Sequence, residues 1–274
     1  MIYQPDGTIV VAAPPGGRGR PTSGQRSIWG RLLAPLAPVL YLLSKLKFLL
    51  LFAKFSKVGL TAVTMLVSVV AYASLWGIGW AAAIGFVVLL FIHEMGHWVM
   101  MRLKGVPASA PIFIPFLGAV ISMRSMPRSV KDEAEIGIAG PIAGTAAALA
   151  CVGLGSLYPG QHLWPLLGAI GLFLNLFNLL PVSPLDGGRI AAAISRWLWI
   201  VGLVGLIALF VKWQNPFLLL IGLIGGIETI ARFRRRYAPT SRPGYYDISA
   251  WQRVTMGALY FGLIGVIAVA LIAN

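Results

Sequence analysis

Long apolar runs separated by short polar turns dominate the chain from residue 59 onward. They predict seven candidate spans, at roughly 59–76, 80–101, 134–157, 164–182, 190–211, 216–231 and 254–273. Each approaches the ~20 apolar residues that a bilayer-crossing helix needs. The longest connection, 104–133, contains PIFIPFLGAVISM at 111–123, where β-branched and aromatic residues flank Gly118. That pattern predicts a short β-hairpin, and its prolines favour edge strands.

The N-terminal part reads differently. Residues 29–57 are apolar but studded with Arg31, Lys45, Lys47, Lys54 and Lys57. Lys47, Lys54 and Lys57 share one sector of a helix at about 100° per residue, and each lysine at mid-bilayer costs about 2.5–3.5 kcal/mol. The expectation is a basic amphipathic helix lying on the membrane surface, with a true span as the alternative. Residues 1–28 are polar and rich in Gly, Pro and Arg. They lack the apolar core of a signal peptide and predict a disordered cytosolic tail. The transmembrane domain then runs over 58–274, and no loop leaves room for an inserted soluble domain. The expected fold class is an all-α polytopic membrane protein. It has about six to seven transmembrane helices, a short cytoplasmic-side hairpin and an N-terminal interfacial helix.

Composition agrees: 58% of residues are hydrophobic and 11% charged, against about 25% charged in soluble domains. The net charge of +14 would raise nucleic acid as a partner in a soluble protein, but no nucleic-acid-binding fold accompanies it. The distribution of charge explains it better. Arg102, Lys104, Arg124, Arg128 and Lys131 lie between the second and third spans, and Arg232, Arg234, Arg235 and Arg236 follow the sixth. Placing the N-terminus inside puts all 22 Lys and Arg except Lys212 on the cytoplasmic side or, for Arg196, in the cytoplasmic half of a span, as the positive-inside rule requires. The expected setting is a multi-pass position in a prokaryotic cell membrane. The single cysteine, Cys151, permits no intrachain disulfide. Most tryptophans fall near span ends and read as interfacial anchors.

Candidate chemistry sits near the cytoplasmic end of the second span, in HEMGH: His93, Glu94, Met95, Gly96, His97. Histidines four apart on a helix point about 40° from each other, so both imidazoles can reach one metal ion. Glu94 stands to the side, placed to take a proton from a water at the metal without being a ligand. Ionisable groups within a span are costly and mark function by default. Catalytic zinc takes three protein ligands and keeps a fourth position open. His162 falls in a loop on the opposite face, which leaves Asp186 and, less well placed, Glu228 as acidic candidates. Asp186 lies in NLLPVSPLDGGR, whose prolines and glycines break the helix; a cap for the next helix is the plainer reading of it.

Together these motifs resemble the site-2 proteases. Members of that family combine HExxH in one transmembrane helix with NxxPxxxLDG in a later one. Here the first is His93–His97 and the second is Asn178, Pro181, Leu185, Asp186 and Gly187. A Gly-Pro pair in the intervening helix matches Gly140–Pro141, and the resemblance covers about residues 80–190. It implies an intramembrane zinc metalloprotease of minimal form, without PDZ or CBS domain. One zinc ion would be held by His93, His97 and Asp186, with Glu94 as general base. Asn178 and Pro181 would lie against the substrate backbone, and the substrates would be membrane-anchored proteins within the lipid bilayer. Gly140 forms a small-xxx-small pair with Gly144, extended by Gly137, which predicts close helix packing at the site. Strand-like Ile112, Phe113, Ile114 and Val120 are further candidates for holding an unwound substrate by edge pairing. The rival function is a metal-ion transporter or channel. It would need ionisable groups spread along a path, whereas these cluster at one depth.

Overall fold

The computed structural model describes residues 2–3, 9–10, 57–75, 77–116, 118–236 and 243–274. The interfacial helix expected over 29–57 and most of the expected tail lie outside the described residues. Within the tail, strand formers pair: β1 (Ile2–Tyr3) runs antiparallel to β2 (Ile9–Val10), Ile2 opposite Val10. Then follow α1 (Lys57–Leu75), α2 (Trp80–Leu103), β3 (Ile112–Ile114), β4 (Gly118–Val120), α3 (Val130–Leu157) and α4 (Leu163–Asn178). Four more described helices follow: α5 (Asp186–Ile194), α6 (Trp197–Trp213), α7 (Pro216–Arg236) and α8 (Ala250–Ala273).

Among the described residues, four helices are long and apolar enough to cross a bilayer: α1, α2, α3 and α8. Three shorter apolar helices accompany them, Leu163–Asn178, Trp197–Trp213 and Leu218–Ala231. Val201, Val204, Ile207 and Val211 of α6 are exposed, as a lipid-facing surface would be. The chain is an integral, multi-pass membrane protein with a largely helical fold. One expected span is corrected: 190–211 is divided. Helix α5 stops at Ile194, Ser195 adopts extended backbone (φ −160°, ψ 135°), and α6 begins at Trp197. The polar pair Ser195–Arg196 interrupts an otherwise apolar run, and α5 is a short separate element.

Helix α3 is the hub, packing against α2, α4 and α5. Its start is specified locally. The Ser129 side chain caps it by accepting from the Asp132 N–H (3.2 Å), and Asp132 and Glu133 place negative charge at the positive end of the helix dipole. Helix α2 ends where Gly105 takes a left-handed conformation (φ 68°), which lets the Val106 N–H reach back to the Met101 carbonyl at 2.8 Å. Lys104, just past that end, bridges to Asp132 (3.0 Å) and Glu135 of α3, tying the two ends of the connection together. Burial works to lower the pKa of the Lys104 ammonium, but hydrogen bonds to Glu135 and Asp132 outweigh it and hold the group above its ordinary value.

The expected hairpin is present, with Phe113 opposite Ala119. Its β3 edge is covered by α1: the Thr64 hydroxyl accepts from the Phe113 N–H (3.2 Å), and the Thr61 hydroxyl donates to the Pro111 carbonyl (2.7 Å). Phe113 is therefore packed inward with Tyr72, Phe86 and Leu90. Because the Phe113 N–H points out towards α1, the backbone groups of its partner Ala119 point out along the opposite edge, on β4.

Candidate metal centre

His93 and His97 lie on the face of α2 turned towards α3 and α4, and both are buried. Their Nε2 atoms are 3.1 Å apart, and each is 3.2 Å from Asp186 Oδ2. The opposite ring nitrogens fix the tautomers. His97 Nδ1 lies 2.7 Å from the Ile136 carbonyl, which can only accept, so Nδ1 carries the hydrogen. His93 Nδ1 lies 2.8 Å from Asn175 Oδ1. The orientation of that amide is set because its Nδ2 donates to the Gly171 carbonyl at 2.7 Å. Both Nε2 atoms therefore present lone pairs, and a carboxylate oxygen faces them.

Three acceptors converging in a buried place repel one another unless a cation stands between them. A shared proton satisfies only part of the cluster, and doubly protonated rings would set two imidazoliums against each other. A metal ion resolves it. Ligands about 2.0–2.1 Å from a tetrahedral ion lie about 3.3 Å from each other, close to the separations here. His93, His97 and Asp186 are the described group able to hold an ion. Glu94 is buried beside this group without belonging to it.

Glycines on α3 explain how the groups come so close. A Cβ on Gly140 would strike the His97 imidazole, one on Gly144 would strike the Asn175 amide, and one on Gly137 would crowd the Asp186 carbonyl at 3.3 Å. The small-residue row expected to pack helices thus makes room for the imidazole, the amide that orients its neighbour, and the strand of backbone bringing Asp186. Pro141 lies within α3 and is buried. Between α4 and α5 the chain is irregular, and Gly187 is pressed against the Leu179 and Leu180 carbonyls, where a side chain would not fit. Asp186 is the first residue of α5, but its side chain goes to the imidazoles. Leu185 occupies the cap position, so the capping reading is not followed.

A cavity of about 680 Å³ opens onto these residues. His93, Glu94, His97, Asp186 and Asn178 line it, with apolar walls that include Phe86, Phe173 and Ile224. Val120 lines it too, as do Gly118 and Ala119. Ile112, Phe113 and Ile114 do not: Phe113 is buried under α1, and Ile112 and Ile114 face away. The cavity wall is β4, not β3. Pro181 lies behind the site, its carbonyl against Gly202 of α6. His162 precedes α4 at the end remote from Asn178, and Glu228 lies on α7, outside the cluster.

Two residues escaped the sequence reading. Asn175 is an isolated polar residue in an apolar run, and that isolation was its signal. Arg189 lines the cavity one turn after Asp186.

Residues 81–161 and 160–201 match the model for peptidase family M50. A zinc metalloprotease of Methanocaldococcus jannaschii is 33% identical over 115 residues, covering 39% of this chain and 33% of that protein. Rip3 of Mycobacterium tuberculosis, which bears a zinc-metalloprotease name, is 32% identical over 133 residues, covering 45% of this chain and 32% of its own length. The chain thus spans about a third of the length of the curated relatives it matches. Among solved structures, a site-2 protease from Methanocaldococcus jannaschii aligns with a TM-score of 0.43 at 22% identity, covering 69% of this chain and 89% of that one. The matched segment carries both HEMGH and NLLPVSPLDGG, and over those residues the chain is similar to peptidase family M50.

Proposed function

We propose that this chain is an intramembrane zinc metalloprotease that hydrolyses peptide bonds of membrane-anchored proteins within or near their spans. The observation that carries the reading is the convergence of two Nε2 lone pairs and a carboxylate oxygen, within 3.2 Å of one another, on the wall of an apolar cavity. The names of the M50 relatives point to zinc, and two histidines with one carboxylate suit that ion. His93, His97 and Asp186 would hold it. Zinc, when bound, supplies Lewis acidity that polarises the peptide carbonyl and makes a water nucleophilic at neutral pH. Glu94 takes the proton of the attacking water and passes it to the leaving amine. Asn178 lines the same cavity and would hold the substrate backbone.

The outer edge of β4 supports a route for holding an unwound segment. The Ala119 N–H and C=O point along that edge, and Ala119 and Val120 line the cavity. An extended peptide pairing there would lie beside the metal-binding residues. The distribution of Lys and Arg supports an N-terminus and catalytic site towards the cytoplasmic side of a prokaryotic cell membrane.

The test is a purified, detergent-solubilised protein assayed for zinc and for cleavage of a panel of single-span proteins. Glu94→Gln should retain zinc and lose hydrolysis, because the amide cannot accept the proton. A Glu94→Gln protein that still cleaves would remove the assignment, and a wild-type protein that binds zinc yet cleaves none of the panel would count against proteolysis.

A further inference from the structure

Arg189 has no part in the chemistry above, yet it lines the cavity beside His93, Glu94, His97 and Asp186 and is the sole Lys or Arg among the lining residues. It leaves α5 three positions after Asp186, so the two side chains are neighbours on the helix surface. Its stem packs on α3, where a Cβ added to Gly137 would lie 3.3 Å from the Arg189 Cβ. The guanidinium forms no ion pair with any acid among the described residues. An unpaired cation in a largely apolar cavity of a membrane protein is costly to keep and marks a function.

The anion that this cation awaits follows from the reaction. Hydrolysis breaks the peptide C–N bond, forms a C–O bond to the water oxygen, and delivers a proton to the departing amine nitrogen. The neutral carbonyl gathers negative charge during attack and ends as a carboxylate on the new C-terminus. Glu94 and Asp186 are acids and repel that charge. A guanidinium is planar, always charged, and matches a carboxylate through two parallel N–H donors.

We propose that Arg189 is a catalytic residue that binds the carbonyl oxygen of the scissile bond and the carboxylate that hydrolysis leaves there. The proposal rests on the proteolytic reading. It assigns the binding position for the fragment that ends in the new carboxylate to one side chain, and it predicts that products with a free C-terminus compete with substrate.

The probe is a pair of short Leu/Ala peptides that differ only in ending as a free carboxylate or as an amide. Their binding is measured on the zinc-loaded full chain in detergent, in the Glu94→Gln background so that neither peptide is cut. With Arg189 present the acid should bind at least ~10-fold more tightly than the amide, given the strength of charge-assisted bidentate contacts. Arg189→Met keeps the stem and should shrink that ratio by about tenfold at unchanged zinc content. Arg189→Lys keeps a charge without the fork and should fall between. With Glu94 intact, Arg189→Met should lower kcat about 10²-fold with KM little changed, as for loss of one donor to a developing oxyanion. If the Met variant does not fold, the Lys variant decides by the same ratio. Folded, zinc-loaded variants whose acid-to-amide ratio stays within about twofold of the parent would overturn the proposal, and would assign Arg189 to packing or to lipid headgroups. Failure of the proteolytic reading is seen separately, as a wild-type chain that cleaves no single-span substrate, and it takes this proposal with it.

Discussion

Gly140→Ala adds one methyl group at the closest approach of α3 to the metal-binding histidines. The three atoms such a Cβ would meet are all in the His97 ring: Nε2, Cε1 and Cδ2. The ring cannot swing away freely, because its Nδ1–H is held by the Ile136 carbonyl at 2.7 Å. Overpacking of this kind costs about 1–3 kcal/mol. Replacing glycine by alanine in a helix returns about 0.5–1 kcal/mol through backbone entropy. The two terms nearly offset in folding stability but not in metal binding, where displacement of His97 Nε2 acts alone. A 1–3 kcal/mol loss there corresponds to about 5- to 150-fold weaker zinc binding. The assay is competition with a chelator of known affinity, run beside thermal unfolding of the metal-free protein. Gly153→Ala is the control, since nothing lies within 4 Å of a Cβ at that position; it should bind zinc as the wild type does. A Gly140→Ala protein with wild-type zinc affinity would refute the argument that this glycine exists to seat the imidazole.

Asn175→Leu should weaken zinc binding about 10- to 100-fold, the usual cost of losing a partner that orients a ligand histidine; affinity equal to wild type would show that His93 needs no such support. Ala119→Pro removes the outward N–H of β4 and should impair cleavage with zinc content intact if β4 receives the substrate, whereas Phe113→Pro should detach β3 from α1, because the Phe113 N–H is bonded to Thr64; equal turnover by a folded Ala119→Pro protein would leave β4 a mere connector. Cysteine introduced at Lys131 should be labelled only from the cytoplasmic side and at Gln161 only from the other, and reversed labelling would invert the proposed orientation.

HEMGH was legible because helical periodicity alone puts its two histidines on one side, and α2 is a regular helix. Asp186 was reachable by motif resemblance but not by periodicity, since seven irregular residues, 179–185, separate it from α4. The glycines of α3 announced a close approach, but spacing says only that a helix face is flat, not that an imidazole and an amide rest on it. The division of 190–211 was hidden by continuous apolar composition on either side of Ser195–Arg196. The covered edge of the hairpin was illegible for another reason. Whether β3 or β4 is free depends on hydroxyls of Thr61 and Thr64, about fifty residues away, and nothing local records that contact.

The break that delivers Asp186 creates a problem that the later helices solve. Ending α4 inside the protein leaves backbone carbonyls without helical partners, starting α5 there leaves backbone N–H groups without them, and in a membrane protein water cannot be relied on to satisfy either. The Tyr260 hydroxyl of α8 donates to the Leu179 carbonyl. The Trp199 indole N–H of α6 donates to the Gly188 carbonyl at 2.7 Å, a second bond that anchors the first turn of α5. Both side chains are almost completely buried, as groups serving an internal acceptor must be. Gly202 lets α6 close on the Pro181 carbonyl where a side chain would hold it off. Helices α6 and α8 thus contribute no ligand and no base, yet they satisfy the backbone on either side of the segment that carries Asp186. The same economy appears on α2, where the Ile136 carbonyl of α3 orients His97, and on α4, where Asn175 orients His93. Each metal-binding histidine is fixed by a hydrogen bond to a different helix, so the metal-binding geometry is a property of the packed bundle and not of either motif taken alone.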